Sequence, residues 1–223
     1  MNFDLNYFFE MIPLLLGYLG LTMKMAVLGL IFALVLAVTM AVVRVFKVPV
    51  LDWLVQLFIS FFRGTPLLVQ LFLLYYGLPQ LFPIMVGIDA FTAAVIGLSL
   101  HFSAYMAESI RAAIMGIDKS QMEAALSIGQ TPLMAMRRII LPQASRIALP
   151  SLMNQFVDMI KSTSLAFTLG VAELMARAQM EASSSFRFFE AFLAVALIYW
   201  AVVVLFTQVQ IRMENRLNRA YQR

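Results

Sequence analysis

The sequence predicts an all-α integral membrane protein of about five transmembrane helices. Three observations carry that expectation: the apolar share of the chain, the length of its apolar runs, and the placement of its basic residues. Of 223 residues, 62% are hydrophobic and 13% charged, and mean hydropathy is +0.88. Ordinary soluble domains are roughly 45–50% apolar and about 25% charged. A single water-facing core of this size cannot hide that much apolar surface, whereas a bilayer acts as its solvent. Each span needs about 20 residues to cross a hydrocarbon core of about 30 Å, so residues 1–223 read as one transmembrane domain with no room for a separate soluble one.

The first apolar run covers about residues 12–43, interrupted only by Lys24, and ends at Arg44 and Lys47 before Pro49. The absence of a basic stretch ahead of it, with Asp4 and Glu10 there instead, marks a retained span and not a cleaved leader. A second run, 52–78, contains Arg63-Gly64-Thr65-Pro66; Pro79 and Pro83 then punctuate a turn free of Lys and Arg. The third, 88–114, grows polar toward its end with His101, Ser103, Tyr105, Glu108 and Arg111. Residues 115–146 are too polar to span, but Met122, Ala125, Leu126 and Ile128 recur at helical spacing, which predicts a short amphipathic helix followed by a second helical piece. The fourth run, 147–171, carries Asn154, Gln155, Asp158 and Lys161, and the fifth, 188–209, is the most uniformly apolar.

Basic residues set the orientation. Arg44 and Lys47, then Lys119, Arg137, Arg138 and Arg146, then Arg212, Arg216, Arg219 and Arg223 fall on one side, against Arg177 and Arg187 on the other. The N-terminus is therefore expected outside and the C-terminus and the 115–146 loop in the cytoplasm. The formal charge of +4 is modest and does not interleave with aromatics on a polar face, so no nucleic-acid partner is expected. With no cysteine there is no disulfide, thiol nucleophile or Cys-based metal site. His101 is the lone histidine, more often a satisfied interior residue than a metal ligand. The 16 methionines read as adaptable packing.

A cytoplasmic loop with its own amphipathic helix suggests docking. Glu123 is expected in the helix's first turn, favoured by the helix dipole. Ala124 and Ala125 leave a partner room to approach, Gly129 supplies a stop, and Pro142 is expected to end the next helical piece. The pattern Glu123-Ala124-Ala125, three residues, Gly129, nine residues, Ile139, one residue, Leu141-Pro142 resembles the signature loop of permease subunits in binding-protein-dependent ABC importers. Phe61-Phe62-Arg63-Gly64-Thr65-Pro66-Leu67-Leu68-Val69-Gln70, Tyr75-Tyr76-Gly77-Leu78-Pro79, Lys161-Ser162-Thr163-Ser164-Leu165, and the spacing of Tyr105, Glu108 and Arg111 are similar to its polar amino acid branch (histidine, glutamine, arginine and cystine types). The resemblance covers about residues 15 to 215; one departure is Ser120, where relatives often have Gly.

That resemblance implies a type I ABC importer permease in a bacterial inner membrane, whose loop forms a coupling helix in a cleft of an ATPase subunit. The implied partners are two ATPase copies, a second permease (identical or a sister), an external substrate-binding protein, membrane lipid and a small polar amino acid. Similarity leans toward a cystine-type or general polar amino acid system. No Gly-x-x-x-x-Gly-Lys-Ser/Thr phosphate loop occurs, so ATP and Mg belong to the partner, and no catalytic residue, cofactor or metal is assigned to this chain.

Polar residues inside the spans carry two readings each. Asn154, Gln155 and Asp158 lie within about one helical turn, within reach of one small zwitterion, and in the resembling family the fourth span lines the central cavity; Gln155 ranks first. Alternatively, Asp158 and Lys161 simply neutralise each other. Thr65 and Arg63 either line the pathway at a bend made by Pro66 or belong to a structural kink with Arg63 reaching headgroups. Leu152 and Met159 read as packing, Glu108 and Arg111 as an ion pair, and Lys24 as a subunit-interface or headgroup contact. The rival functions are an ion-coupled secondary carrier using Asp158 and an intramembrane enzyme. A docking loop, five spans without an internal repeat, and the lack of a His-Glu-x-x-His motif or second histidine argue against both.

Overall fold

The computed structural model describes residues 3–218; Arg219 and Arg223 of the expected basic tail lie outside the described residues. Helix α1 (Leu5–Phe46) begins where the Asp4 carboxylate accepts the Tyr7 N–H, seven residues before the expected span, and closes at Lys47 in the left-handed region. Pro49, Val50 and Leu51 then reverse the chain within three residues. The Leu51 N–H donates to the Pro49 carbonyl at 2.7 Å, with Val50 at φ 65°. Helix α2 (Leu51–Gly64) ends at Thr65, which Pro66 forces into an extended conformation. The axis turns by 111° before α3 (Leu67–Phe72). The expected span 52–78 is therefore one bent rod, continued through a π turn (Leu73–Gly77) into α4 (Leu78–Leu81).

Asp89 caps α5 (Ala90–Met115) through the Thr92 N–H. The loop holds α6 (Lys119–Ser127) and α7 (Pro132–Ala135), and a second π turn (Met136–Ile140) leads directly into α8 (Leu141–Ser162). A 3-10 stretch (Thr163–Leu169), α9 (Leu174–Ser185) and α10 (Phe188–Asn218) complete the described chain.

Pro142 does not end a helical piece, contrary to the sequence expectation. Both π turns stand immediately before a Leu-Pro pair, Leu78-Pro79 and Leu141-Pro142. The Leu78 N–H bonds the Leu73 carbonyl and the Leu141 N–H the Met136 carbonyl, five residues back. A proline ring inside a helix clashes with the carbonyl four residues earlier. Widening that turn makes room, so the helix passes through the proline instead of stopping.

Side-chain contacts fix the levels of the bundle. Arg44 of α1 meets Asp52 of α2 and Glu108 of α5 at one end, while Lys24 of α1 lies over Phe91 of α5 toward the other. Helices α1 and α5 thus run parallel, and the bent α2–α4 segment must return across the bundle between them. The first turns of α8 pack on Ala113 of α5 through Ala144 and Ala148, its middle meets Ser109 through Ser151, and the chain after it reaches Thr22 through Glu173. Helix α10 begins at Asp4 through Glu190 and comes back to Pro150 and Asn154 through Gln210.

The chain accordingly passes five times between the two ends. By length and apolarity alone, only three helices of the described residues qualify as spans, or four if the bent pair counts as one. This differs from the five apolar spans expected. The fifth passage is α8, which carries Arg146, Asn154, Gln155, Asp158 and Lys161 and gives up apolarity for them.

Packing depends on small residues. On α1, Met25, Gly29, Ala33, Ala37 and Ala41 recur every four residues and are buried. They face Ala94, Leu98 and Phe102 of α5 in the main core. A Cβ at Gly29 would stand 3.0 Å from Met159 Sδ and 3.6 Å from Leu98 Cβ, so the helices meet close to backbone contact, as membrane helices do at small-residue seams. A second core joins Met11 and Leu15 of α1 to Leu174 and Ala178 of α9 and Ala191 and Ala194 of α10. Glu173 is fully buried at the junction. It caps α9 by accepting the Ala176 N–H at 2.8 Å and also accepts the Tyr199 hydroxyl at 3.1 Å.

Candidate functional site: a capped loop helix and a polar stripe across the bundle

Helix α6 is short but closed at both ends. Asp118 caps it, accepting the Ser120 N–H at 2.9 Å, and that backbone bond holds the Asp118 carboxyl below its ordinary range. At the other end Gly129 takes φ +84°. The Gln130 N–H reaches the Ala125 carbonyl at 3.1 Å and the Gly129 N–H the Leu126 carbonyl at 2.9 Å. These two bonds are the pair of a Schellman motif, which satisfies carbonyls a helix end otherwise leaves free.

Two details differ from the sequence expectation. Glu123 lies in the second turn, because the helix starts at Lys119 and the acidic cap is Asp118. Ala125 is buried, facing α7 and the π turn of its own chain, and so does not line a partner-facing surface; Ala124 is exposed. The outward face carries Glu123, Ala124, Leu126 and Ile128, the last 75% exposed. Leu133, Met134, Arg137 and Arg138 extend it. Ile139 is half-buried, and Leu141 and Pro142 are exposed where α8 begins.

The second group of residues is organised by α5. His101, Tyr105 and Ser109, four residues apart and all half-buried, form one stripe along that helix. His101 Nδ1 lies 2.9 Å from Gln70 Oε1. The Gln70 amide in turn donates to the Phe62 carbonyl at 2.9 Å, the Thr65 carbonyl at 3.1 Å and Thr65 Oγ1 at 2.8 Å. Those groups are backbone and hydroxyl atoms around the bend, so Gln70 ties the break in the second span to α5. Tyr105 stacks under the Arg63 guanidinium at 5.4 Å and donates its hydroxyl to the Arg63 carbonyl. Ser109 receives the Gln155 amide at 2.7 Å and lies 2.9 Å from Ser151 Oγ. Oε1 of Gln155 is buried without a protein partner.

The stripe therefore gathers Arg63, Thr65 and Gln155. It does not gather Asn154 and Asp158. Asn154 is exposed and accepts the Gln210 amide of α10 at 3.2 Å, while Asp158 is exposed and paired with Lys161 at 2.6 Å. Residues 154 and 158 share a helix face, and 155 lies about 100° around the axis, so the three do not converge on one point within this chain. Glu108 pairs with Arg111 at 2.8 Å, as expected, and joins Arg44 and Asp52 in a charged knot. From sequence, Gln70 stands out only as part of the family-like string 61–70, and Ser109 and Ser151 not at all. The four-residue spacing of His101, Tyr105 and Ser109 was the available signal. Among the described residues no three His, Asp or Glu side chains are placed to hold a metal ion.

A five-passage helical bundle with an apolar core, one polar stripe along α5 and a capped helix at one end defines a polytopic membrane protein. Residues 27–219 match the family described as binding-protein-dependent transport system inner membrane component, and the chain belongs to that family. It is 76% identical, over the whole of both chains, to the "Probable amino-acid ABC transporter permease protein PatM" of Vibrio harveyi. It is 42% identical to the L-cystine transport system permease protein TcyL of Bacillus subtilis, covering 92% of this chain and 87% of that one. Against the glutamine transport system permease protein GlnP of Escherichia coli K12 the identity is 36%, covering 97% and 99%.

Among solved structures, one described as an amino acid ABC transporter with histidines superposes with a TM-score of 0.89 at 35% identity, covering 97% of this chain and all of that one. The MetNI methionine ABC transporter shares the fold alone, with a TM-score of 0.78 at 17% identity over 93% and 98% of the two chains. The fold is that of a type I ABC importer permease, and these findings favour the importer over an ion-coupled carrier.

Proposed function

We propose that this chain is the membrane-spanning subunit of an ATP-driven importer of a small polar amino acid. It works by alternating access and is coupled to a separate ATPase through the Glu123–Gly129 helix. The observation that carries the reading is the continuity of the loop with the interior. Ala125 seats α6 on α7 and the π turn, and from Pro132 the helix continues without a break to Ser162. A displacement of α6 is thereby delivered to Ser151 and Gln155, which contact the α5 stripe. Exposed Leu126, Ile128 and Leu133 beside Arg137 and Arg138 suit a cleft with an apolar floor and an acidic rim.

The ends of the bundle follow the basic residues: α6 and the C-terminus in the cytoplasm, the N-terminus outside, in a bacterial inner membrane. ATP and Mg are held by the ATPase, of which two copies work with two permeases, identical or sister chains, while an external binding protein delivers substrate. In this reading Arg63, Thr65 and Gln155 face the pathway from the α5 stripe, while Asn154 and Asp158, exposed on another face of α8, reach it where a second permease completes the cavity. The relatives' amino acid, cystine and glutamine names support a polar amino acid as cargo.

The test is uptake of labelled amino acid by cells expressing Glu123→Lys or Gly129→Asp. Transport is lost while the protein stays in the membrane. Uptake at the unmodified rate by both variants contradicts the coupling role.

A further inference from the structure

Lys24 is exposed on the apolar flank of α1, beside Val27 and Ile31, and its cation lies 5.5 Å from the face of Phe91. Among the described residues no carboxylate forms an ion pair with it within 4.0 Å. Asp89, at the same level, is engaged in capping α5, accepting the Thr92 N–H at 3.0 Å and the Thr92 hydroxyl at 2.6 Å. A lysine among lipid-facing side chains extends its stem toward the headgroup layer and needs an anion there.

Lys24 stands twenty positions before Arg44 on the same unbroken helix, about 30 Å at a rise of about 1.5 Å per residue. That separation matches the hydrocarbon thickness of a bilayer, so with the two cations at opposite headgroup layers the stretch between them, and not the whole apolar run 12–43, is the part of α1 that crosses the hydrocarbon.

From Phe91 a groove of about 410 Å³ runs between the parallel helices α1 and α5, walled by Leu28, Phe32, Leu36, Val95 and Ile96. Leu28 to Leu36 covers about 12 Å along the helix, the reach of a partly extended acyl chain. An apolar channel with a cation at its mouth has the form of a phospholipid.

We propose that this groove binds one phospholipid, its phosphate paired with Lys24 and one acyl chain laid between α1 and α5, in the leaflet opposite Arg44. The phosphate, not the net headgroup charge, is the recognised group, because Asp89 at the rim offsets any preference for a second negative charge.

The experiment uses the full chain purified with the subunits that accompany it. Delipidated protein is exchanged with micelles containing either dioleoyl phosphatidylglycerol or dioleoylglycerol, which differ in the phosphate, and tightly held lipid is counted by mass spectrometry. The protein retains phosphatidylglycerol and not dioleoylglycerol. Lys24→Met weakens retention about fivefold, the scale of one lysine near a charged membrane surface. Lys24→Arg preserves retention, and Ile96→Trp, which fills the groove, abolishes it while Lys24 remains.

Equal retention of the two lipids, or full retention by Lys24→Met, overturns the site. So does Lys24→Met dissociating a second permease from the complex, since Lys24 would then belong to a subunit interface.

Discussion

Replacing Gly129 separates the backbone role of the loop from contacts made by its side chains. The residue sits at φ +84°, and a Cβ built on it meets nothing within 4 Å. Any cost therefore comes from conformation and not from a clash within the chain. A left-handed L-residue costs about 1–2 kcal/mol, least for Asn or Asp and most for β-branched residues; the full loss expected for Gly129→Asp therefore comes from its added carboxylate, which an acidic cleft rim repels, and not from the backbone. That range corresponds to roughly a 5- to 30-fold fall in the ratio of capped to uncapped loop. If only the capped loop docks, apparent affinity for the ATPase falls by at most the same factor. Gly129→Asn should reduce initial uptake least, Gly129→Ala by up to about 5- to 30-fold, and Gly129→Val further. Uptake into membrane vesicles, normalised to immunoblotted protein, measures this. Equal loss in all three, or normal uptake by Gly129→Val, refutes the reasoning.

Gln70→Leu removes the donor to Phe62 O, Thr65 O and Thr65 Oγ1 and should cost about 1–3 kcal/mol, visible as a melting temperature lowered by roughly 3–10 °C; an unchanged value contradicts a bend held by Gln70. Gly29→Val should overpack the α1–α5–α8 seam by about 1–3 kcal/mol, whereas Gly29→Ala is tolerated because the thioether of Met159 can move; thermal denaturation in detergent separates them. Asp158→Asn breaks an ion pair more than half exposed, worth at most about 1 kcal/mol, so melting stays within roughly 4 °C while uptake slows; undiminished uptake removes Asp158 from the pathway.

What could be read from the sequence was what depends on local chemistry. The apolar runs, the bend at Thr65-Pro66, the stop at Gly129 and the Glu108–Arg111 pair each follow from a few adjacent residues. The misreadings share a cause in longer geometry. Pro142 signals a helix end unless a widened turn precedes it, and the five residues of the π turn at Met136–Ile140 do not mark it; what it shares with the other π turn is the Leu-Pro pair that follows. Ala125 reads as a contact surface until α7 is seen packed against it. Asn154, Gln155 and Asp158 are close in sequence, yet Gln210 draws the first toward α10 and Ser109 draws the second toward α5. The role of Gln70 depends on His101, thirty-one residues away, a pairing visible only once the bent span folds back on α5.

The chain contains no cysteine, so one can be introduced at Ile128, which is 75% exposed on the α6 surface, and labelled with a membrane-impermeant maleimide. The account predicts no reaction in intact cells, reaction in inside-out vesicles stripped of peripheral proteins, and protection when the ATPase subunit is added back. Labelling from outside the cell, or labelling that the ATPase leaves unchanged, contradicts it.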